Sequence, residues 1–150
     1  MGAVIARVVA EPIAEQAVAA ELAEPGHGCQ LVFRGVVRDL NLGRAVRAVT
    51  YDAHAPMAER VFREIGEEAR QRWGAGLGVA IVHRVGRLEV GEASVLIVVG
   101  AAHRDEGYQA SRYAIEQLKR RAPIWKQEHY ADGDSEWVKG HSLCEHAAGS

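Results

Sequence analysis

The sequence predicts an α+β domain in which amphipathic helices pack on a β-sheet. Two apolar, β-branched runs, residues 79–85 and 94–99, are typical of buried strands. From Pro56 the apolar residues recur at helical spacing, and a second helical pattern covers about 105–121. The first helix has a stripe formed by Met57, Ala58, Val61, Phe62, Ile65 and Ala69. We interpret this stripe as core and not as a partner groove, because a helix on a sheet must bury such a face.

The remaining elements follow from shorter signals. Gly35 lies inside an apolar run and indicates a bulge or a close approach of another backbone or ligand. Residues 39–43 have the composition of a loop, and Gly86 and Gly91 mark turns. Further strands are predicted at 3–10, 29–38, 45–51 and 124–130, and a first helix at 12–22.

Composition sets limits on domain number and location. With 150 residues, 48% hydrophobic and 25% charged, the chain is expected to form a single domain, with 139–150 a flexible tail of low apolar content. A net charge of −2 does not indicate nucleic-acid binding, and no apolar run approaches the roughly 20 residues of a membrane span. Two cysteines are too few for a disulfide framework, so we expect a cytoplasmic protein.

Two of the three lysines flank a forced break in the chain. Pro123 cannot continue a helix, so Lys119 is predicted in the last turn of a helix and Lys126 on the element that follows. Two amines from different elements can then face one pocket. Fifteen arginines accompany the three lysines, so lysine is not the generic surface cation here. A buried lysine amine can act as acid, base or nucleophile near neutral pH.

Other cationic groups lie at the ends of predicted elements. Arg38 ends a strand, and His103 and Arg104 precede the second long helix, where a positive dipole favours an anion. Together with the lysines they could hold a phosphate, if folding gathers them. The alternatives are a surface ion pair for Arg38 and a helix cap for His103. A metal site is not expected, since the best candidate ligands lie in the predicted tail, namely His141, Cys144 and His146.

A set of motifs resembles the large, catalytic subunit family of molybdopterin synthase from about residue 29 to residue 138. The motifs are Phe33-Arg34-Gly35-Val36-Val37-Arg38, Asn41, Gly43, Tyr51, Met57-Ala58, Ala69, Arg72-Trp73, His83-Arg84-Val85-Gly86, Val90-Gly91-Glu92, His103-Arg104, Leu118-Lys119, Pro123-Ile124-Trp125-Lys126 and Trp137-Val138. The resemblance implies an α/β hammerhead-type fold with a mostly antiparallel sheet. It also implies a homodimer that binds two small ubiquitin-like sulfur-carrier subunits as a heterotetramer.

The resemblance further implies an activity and its residues. In this family the carrier's C-terminal thiocarboxylate supplies sulfur to cyclic pyranopterin monophosphate, which forms the dithiolene of molybdopterin without a cofactor or metal in this enzyme. By position, Lys119 and Lys126 are the expected catalytic residues. We expect Lys119 to be the more critical of the two, because it projects from a rigid helix end. The expected substrate-binding residues are Val36, Val37, Arg38, His103, Arg104, Lys119, Lys126, Gln127 and Glu128. His141 stands near a family arginine position and would weaken anion binding as pH rises.

Two other functions are compatible with the same residues. The cationic cluster could serve a non-enzymatic phosphate- or nucleotide-binding module. The chain could also be a regulatory or scaffold subunit that docks partners on apolar edge strands. We interpret His83 and Arg84 as structural, because their neighbours alternate as in a packed strand.

Overall fold

A computed structural model describes residues 2–139. Within this range the helices are α1 (Glu15–Leu22), α2 (Ala55–Trp73) and α3 (Arg104–Arg121). The strands are β1 (Val4–Val9), β2 (Cys29–Val36), β3 (Leu40–Asn41), β4 (Arg44–Ala53), β5 (Gly78–Arg84), β6 (Gly86–Glu89), β7 (Ala93–Ala101), β8 (Ile124–Tyr130), β9 (Gly133–Asp134) and β10 (Val138–Lys139). In this part of the chain, no helix is long and apolar enough to cross a lipid bilayer.

The first sheet has helices on both faces. Its order is β1-β5-β7-β2, with β1 parallel to β5 and the other pairs antiparallel. Val79 and Ile81 of β5 point into a core shared with α2 and α3, while Ala80 and Val82 point into a second core under α1. Successive strand residues face opposite sides, so a sheet covered on both sides needs a continuous apolar run. The predicted α+β class with a mostly antiparallel sheet is confirmed.

The second sheet carries the elements on which the candidate site is built. Its order is β10-β8-β4-β3, with β6 also paired with β4, on the edge opposite β8, and β9 paired with β8. A third core fills it, formed by Val37, Val46, Val49, Leu88 and Tyr130. The chain passes from the first sheet to the second after β2, where the register shifts between Gly35 and Val36.

Gly35 is closely approached by a side chain of the neighbouring strand. A Cβ at this residue would lie 2.7 Å from Cγ1 of Val95 on the neighbouring strand, so a larger side chain would displace β7. The bulge that follows turns Val37 from the first sheet into the third core. Of the two predicted alternatives for this glycine, the bulge is confirmed, whereas the group that approaches it is a side chain and not a backbone or ligand.

Helix α2 packs its apolar stripe as predicted, with one exception. Ala58, Phe62, Ile65 and Ala69 are fully buried in the first core. Met57, placed on the stripe by its spacing, is 54% exposed, because the buried face is centred one residue further along the chain. The helix stops at Gly74, whose φ of +119° is costly for other residues.

Three other predictions need correction. Residues 39–43 are not only a loop, since Leu40–Asn41 pairs with β4 as a short hairpin. Gly86 does not simply mark a turn, because it begins β6, which pairs with Tyr51 of β4. The first helix begins at Glu15 and not at residue 12. Lys139, the first residue of the predicted tail, pairs with Trp125, and residues 140–150 lie outside the described range.

Candidate active site

A narrow pocket lies where α3 ends and β8 begins. The helix ends at Arg121, Ala122 takes an extended backbone, and Pro123 leads directly into β8, as predicted. Lys119 is half-buried in the last helical turn, and the Lys126 side chain is 14% exposed on the strand. The residues lining this pocket are Tyr51, His83, Leu118, Lys119, Ala122, Ile124 and Lys126. Two amines from two elements therefore face one pocket.

A second, polar groove adjoins this pocket. Tyr51 and Lys126 line both depressions, and the groove continues past Val36 and Val37 to Arg38. Arg38 is exposed and its Nη2 donates a long hydrogen bond of 3.5 Å to Oδ1 of Asn41. The structure thus brings Arg38, Lys119 and Lys126 to one surface. The pocket and groove are small, about 20 and 70 Å³, whereas pockets for drug-sized ligands are roughly 300–1,000 Å³.

Glu128 lines the groove beside Lys126. Its side chain is buried, with Oε1 3.9 Å from Nζ of Lys126. Both carboxylate oxygens accept from Nδ2 of Asn41, at 3.0 and 3.1 Å. A carboxylate only accepts hydrogen bonds and repels anions, so the role we assign to Glu128 is to orient Lys126.

The side chain of Gln127 and the backbone of Val37 are already engaged within the chain. The side chain of Gln127 donates to the carbonyl of Ser135 at 3.2 Å and lines neither the pocket nor the groove. Strand alternation explains this, because Lys126 and Glu128 share the opposite face of β8. The backbone N–H of Val37 donates to the carbonyl of Glu92 at 3.0 Å, and the carbonyl of Val37 accepts from the N–H of Gly91 at 2.8 Å.

His103 and Arg104 lie at the far end of α3 from Lys119. Sixteen residues separate His103 from Lys119 along this helix, or roughly 24 Å at 1.5 Å per residue. His103 is the N-cap, and its backbone N–H donates to Oε1 of Glu106 at 2.9 Å. Within one chain His103 is therefore a helix cap, which is the alternative that the sequence left open. The three predicted cationic places do not all meet there.

His83, which we interpreted as structural, lies in a packed strand and also borders the candidate site. It is 4% exposed, its ring lies edge-on to Tyr51 at 5.0 Å, and it lines the lysine pocket. Burial lowers its pKa to about 4, with a smaller lowering from the nearby Lys119 and Lys126 ammonium groups. Its Nδ1 lies 2.8 Å from the carbonyl oxygen of Arg84, which can only accept. The ring is thus neutral with Nδ1 protonated, which leaves the Nε2 lone pair.

The structure offers no metal centre in the range it describes. Among residues 2–139, no group of three or more His, Cys, Asp or Glu side chains is arranged to hold a metal ion. The weak zinc candidates His141, Cys144 and His146, and the proposed effect of His141 on pH dependence, fall outside the described residues.

Fold and site together define an α+β protein with an amine-lined pocket suited to an anionic substrate. The family model described as "MoaE protein" matches residues 8–121. The chain therefore belongs to the MoaE family, whose curated members are named molybdopterin synthase catalytic subunit, and it is an enzyme. A purely phosphate-binding or scaffolding role does not agree with this membership.

Individual relatives support the same assignment. The chain is 48% identical over 134 residues to the molybdopterin synthase catalytic subunit of Synechococcus elongatus, covering 89% of this chain and 81% of that one. A crystal structure of molybdopterin synthase from Staphylococcus aureus superposes with a TM-score of 0.84 at 37% identity, over 89% and 96% of the two chains. A complex of subunits 1 and 2 of molybdopterin-converting factor from Helicobacter pylori shares the fold, with a TM-score of 0.70 at 20% identity, over 85% and 86%.

Proposed function

We propose that the pocket between α3 and β8 transfers sulfur from the C-terminal thiocarboxylate of a small carrier protein to cyclic pyranopterin monophosphate, forming the dithiolene of molybdopterin. The observation that carries this proposal is the meeting of Lys119 and Lys126 in one pocket beside Arg38. Thiocarboxylate and cyclic phosphate are both anions, so fixed cations stabilise them and the charge that develops during transfer.

The two lysines have different surroundings and hence different roles. Glu128 lies 3.9 Å from Lys126 and helps to hold this amine in place, so we assign Lys126 to stabilising phosphate or enolate charge. Among residues 2–139, no carboxylate lies within 4 Å of the Lys119 amine. Lys119 is therefore available to pair with the thiocarboxylate and to move protons as sulfur adds to the pterin side chain.

We propose that His103 and Arg104 act from a second copy of the chain. They lie roughly 24 Å from Lys119 within one protomer, so they cannot reach its pocket directly. The small volumes of the pocket and groove, about 20 and 70 Å³, also indicate that a tricyclic substrate needs further walls. A homodimer in which the start of α3 meets the neighbouring lysine pocket meets both requirements.

The carrier partner and the cellular location are also proposals. The Helicobacter pylori neighbour is a complex of two subunits, which supports docking of a small second subunit on this fold. A thiocarboxylated chain end is slender enough for the narrow space between Lys119 and Lys126. The presence of two cysteines in 150 residues agrees with a reducing, cytoplasmic location.

Substitution of Lys119 tests the chemistry. We expect Lys119→Ala to lower the rate of molybdopterin formation from thiocarboxylated carrier by about 100- to 1,000-fold, the usual effect of removing a group that stabilises the transition state. Arg120→Ala is the matched control, because Arg120 is exposed on the same helical turn and lines neither depression. Near-normal product formation by a folded Lys119→Ala protein would refute the assignment.

Mixing two inactive variants tests the shared site. If Lys119 and Arg104 of different protomers form one site, a one-to-one mixture of Lys119→Ala and Arg104→Ala proteins regains activity after exchange. Half of the dimers are then mixed, and each mixed dimer has one intact site of two, so about a quarter of wild-type activity returns. A site built within one chain gives no recovery, which would contradict the proposed dimer contribution.

A further inference from the structure

A chain of polar contacts joins the two cations of the groove. Nη2 of Arg38 donates to Oδ1 of Asn41 at 3.5 Å, and Nδ2 of Asn41 donates to both oxygens of Glu128. Oε1 of Glu128 in turn lies 3.9 Å from Nζ of Lys126. Asn41 and Glu128 are 87 residues apart in sequence, and the β3–β4 hairpin is what brings the amide to β8. The side-chain amide of Asn41 therefore connects Arg38 to Lys126 through Glu128.

The neighbours of Asn41 permit one orientation of its side chain. A carboxylate only accepts hydrogen bonds and a guanidinium only donates them, so NH₂ must face Glu128 and the carbonyl must face Arg38. The second N–H of the amide reaches the hydroxyl of Tyr130 at 3.1 Å. Burial and the nearby Glu128 carboxylate raise the pKa of Tyr130, which therefore stays protonated. Every polar group of the Asn41 side chain is engaged.

Glu128 needs this amide because its side chain is 3% exposed. A buried carboxylate that loses a donor becomes protonated or moves toward another cation. Either change alters the position or the charge environment of Lys126, since the two groups are 3.9 Å apart. The effect of Asn41 thus passes through Glu128 to an amine of the pocket.

We propose that Asn41 is a positioning residue that fixes Glu128 against Lys126 and holds Arg38 at the same groove, so that a bound anion meets two cations already in place. This inference rests on the proposed function, because Lys126 and Arg38 are the groups that function assigns to the substrate. Asn41 itself lines the groove between Arg38 and Glu128. It does not need to touch substrate to affect turnover.

Two variants of Asn41 separate positioning from a structural role. Asn41→Ala is expected to lower kcat/KM by about 10- to 100-fold, the range for losing hydrogen bonds to charged groups, and to weaken inorganic phosphate binding by about tenfold. Leu42→Ala is the control for hairpin disturbance, since Leu42 is its neighbour and 59% exposed. This control is expected to keep wild-type activity.

Asn41→Asp adds a readout that loss of structure would not produce. The new carboxyl faces Glu128, with Tyr130 and Arg38 in contact and Lys126 beyond, and two adjacent carboxylates raise one pKa. Once protonated, the new carboxyl can donate to Glu128 as the amide does. Activity relative to wild type is therefore expected to rise several-fold from pH 8 to pH 6, whereas the Asn41→Ala ratio stays flat.

The double variant decides whether Asn41 acts through Lys126. In single-turnover assays, adding Asn41→Ala to Lys126→Ala is expected to cost less than about threefold, because coupled residues are non-additive. Additive losses, a flat Asn41→Asp ratio, or near-wild-type Asn41→Ala activity would each overturn the inference. If wild-type protein formed no product from loaded carrier, the proposed function would fail, and phosphate affinity of the same variants would still test Asn41.

Discussion

Acid should destabilise this protein through His83. Burial, with a smaller contribution from the Lys119 and Lys126 ammonium groups, lowers the pKa of His83 to about 4, and the hydrogen bond to the Arg84 carbonyl opposes the change. In the unfolded chain the ordinary value is 6.5. Between these two values the unfolded state binds a proton that the folded state does not. Stability from this residue is therefore complete above pH 6.5 and falls as the pH decreases toward 4.

The expected loss follows from the two pKa values. One pKa unit corresponds to about 1.4 kcal/mol, so acidification from pH 7 to pH 4.5 removes about 2 kcal/mol of unfolding free energy through His83. This is a large share of the roughly 5–15 kcal/mol that stabilises a typical domain. Other groups also titrate over this range, so the contribution must be isolated by difference.

A variant with no titrating side chain at position 83 isolates the contribution of His83 to the free energy of unfolding. His83→Gln keeps a donor for the Arg84 carbonyl but carries no charge at any pH in this range. Urea unfolding of both proteins, at one fixed protein concentration from pH 7.5 to 4.5, should give free energies that converge by about 2 kcal/mol as the pH falls. Parallel curves would refute the reasoning, as would an NMR titration of His83 with a midpoint near 6.5.

Three further predictions concern packing and the groove. Phe62→Ala should lower the free energy of unfolding by about 3–5 kcal/mol in urea titrations, because this ring is fully buried in the first core, and a loss below 1 kcal/mol would contradict that packing. Gly66→Ala should lower the free energy of unfolding by about 1–3 kcal/mol, since the new Cβ would lie 2.6 Å from Cγ1 of Val4. Gly26→Ala is the control and should leave this free energy unchanged, because Gly26 has open space around it. Equal effects of the two substitutions would contradict the close contact at Gly66. Arg38→Gln should weaken inorganic phosphate binding by about tenfold without lowering the thermal midpoint, because Arg38 is exposed; unchanged affinity by calorimetry would remove it from the groove.

The lysine pair could be predicted from sequence because its cause is local. Pro123 forces the chain to change element between Lys119 and Lys126, so neighbouring segments present the two amines. The strands and helices α2 and α3 could be located for a similar reason. The spacing of apolar residues along each segment follows which of its side chains face the core. The two-residue strand β3 is too short to show a period.

The rest of the site depends on register between distant segments. Asn41 reaches Glu128 across 87 residues through the β3–β4 and β4–β8 pairings, which no local pattern encodes. His83 alternates like any packed strand residue, so its pattern indicates burial but not that the burying neighbours include two lysines. The position of His103 at the opposite end of α3 was implicit in the predicted helix length, because 16 residues of helix span roughly 24 Å.

The charges of the pocket and groove explain how a chain with a net charge of −2 can offer an anion site. Arg38, Lys119 and Lys126 supply three cations, Glu128 supplies one buried carboxylate, and His83 stays neutral. Within one chain the surplus is therefore two positive charges, and Arg104 of a second copy would add a third. A protonated His83 would add a further positive charge and strengthen repulsion among the cations, so its burial limits the positive charge of the site.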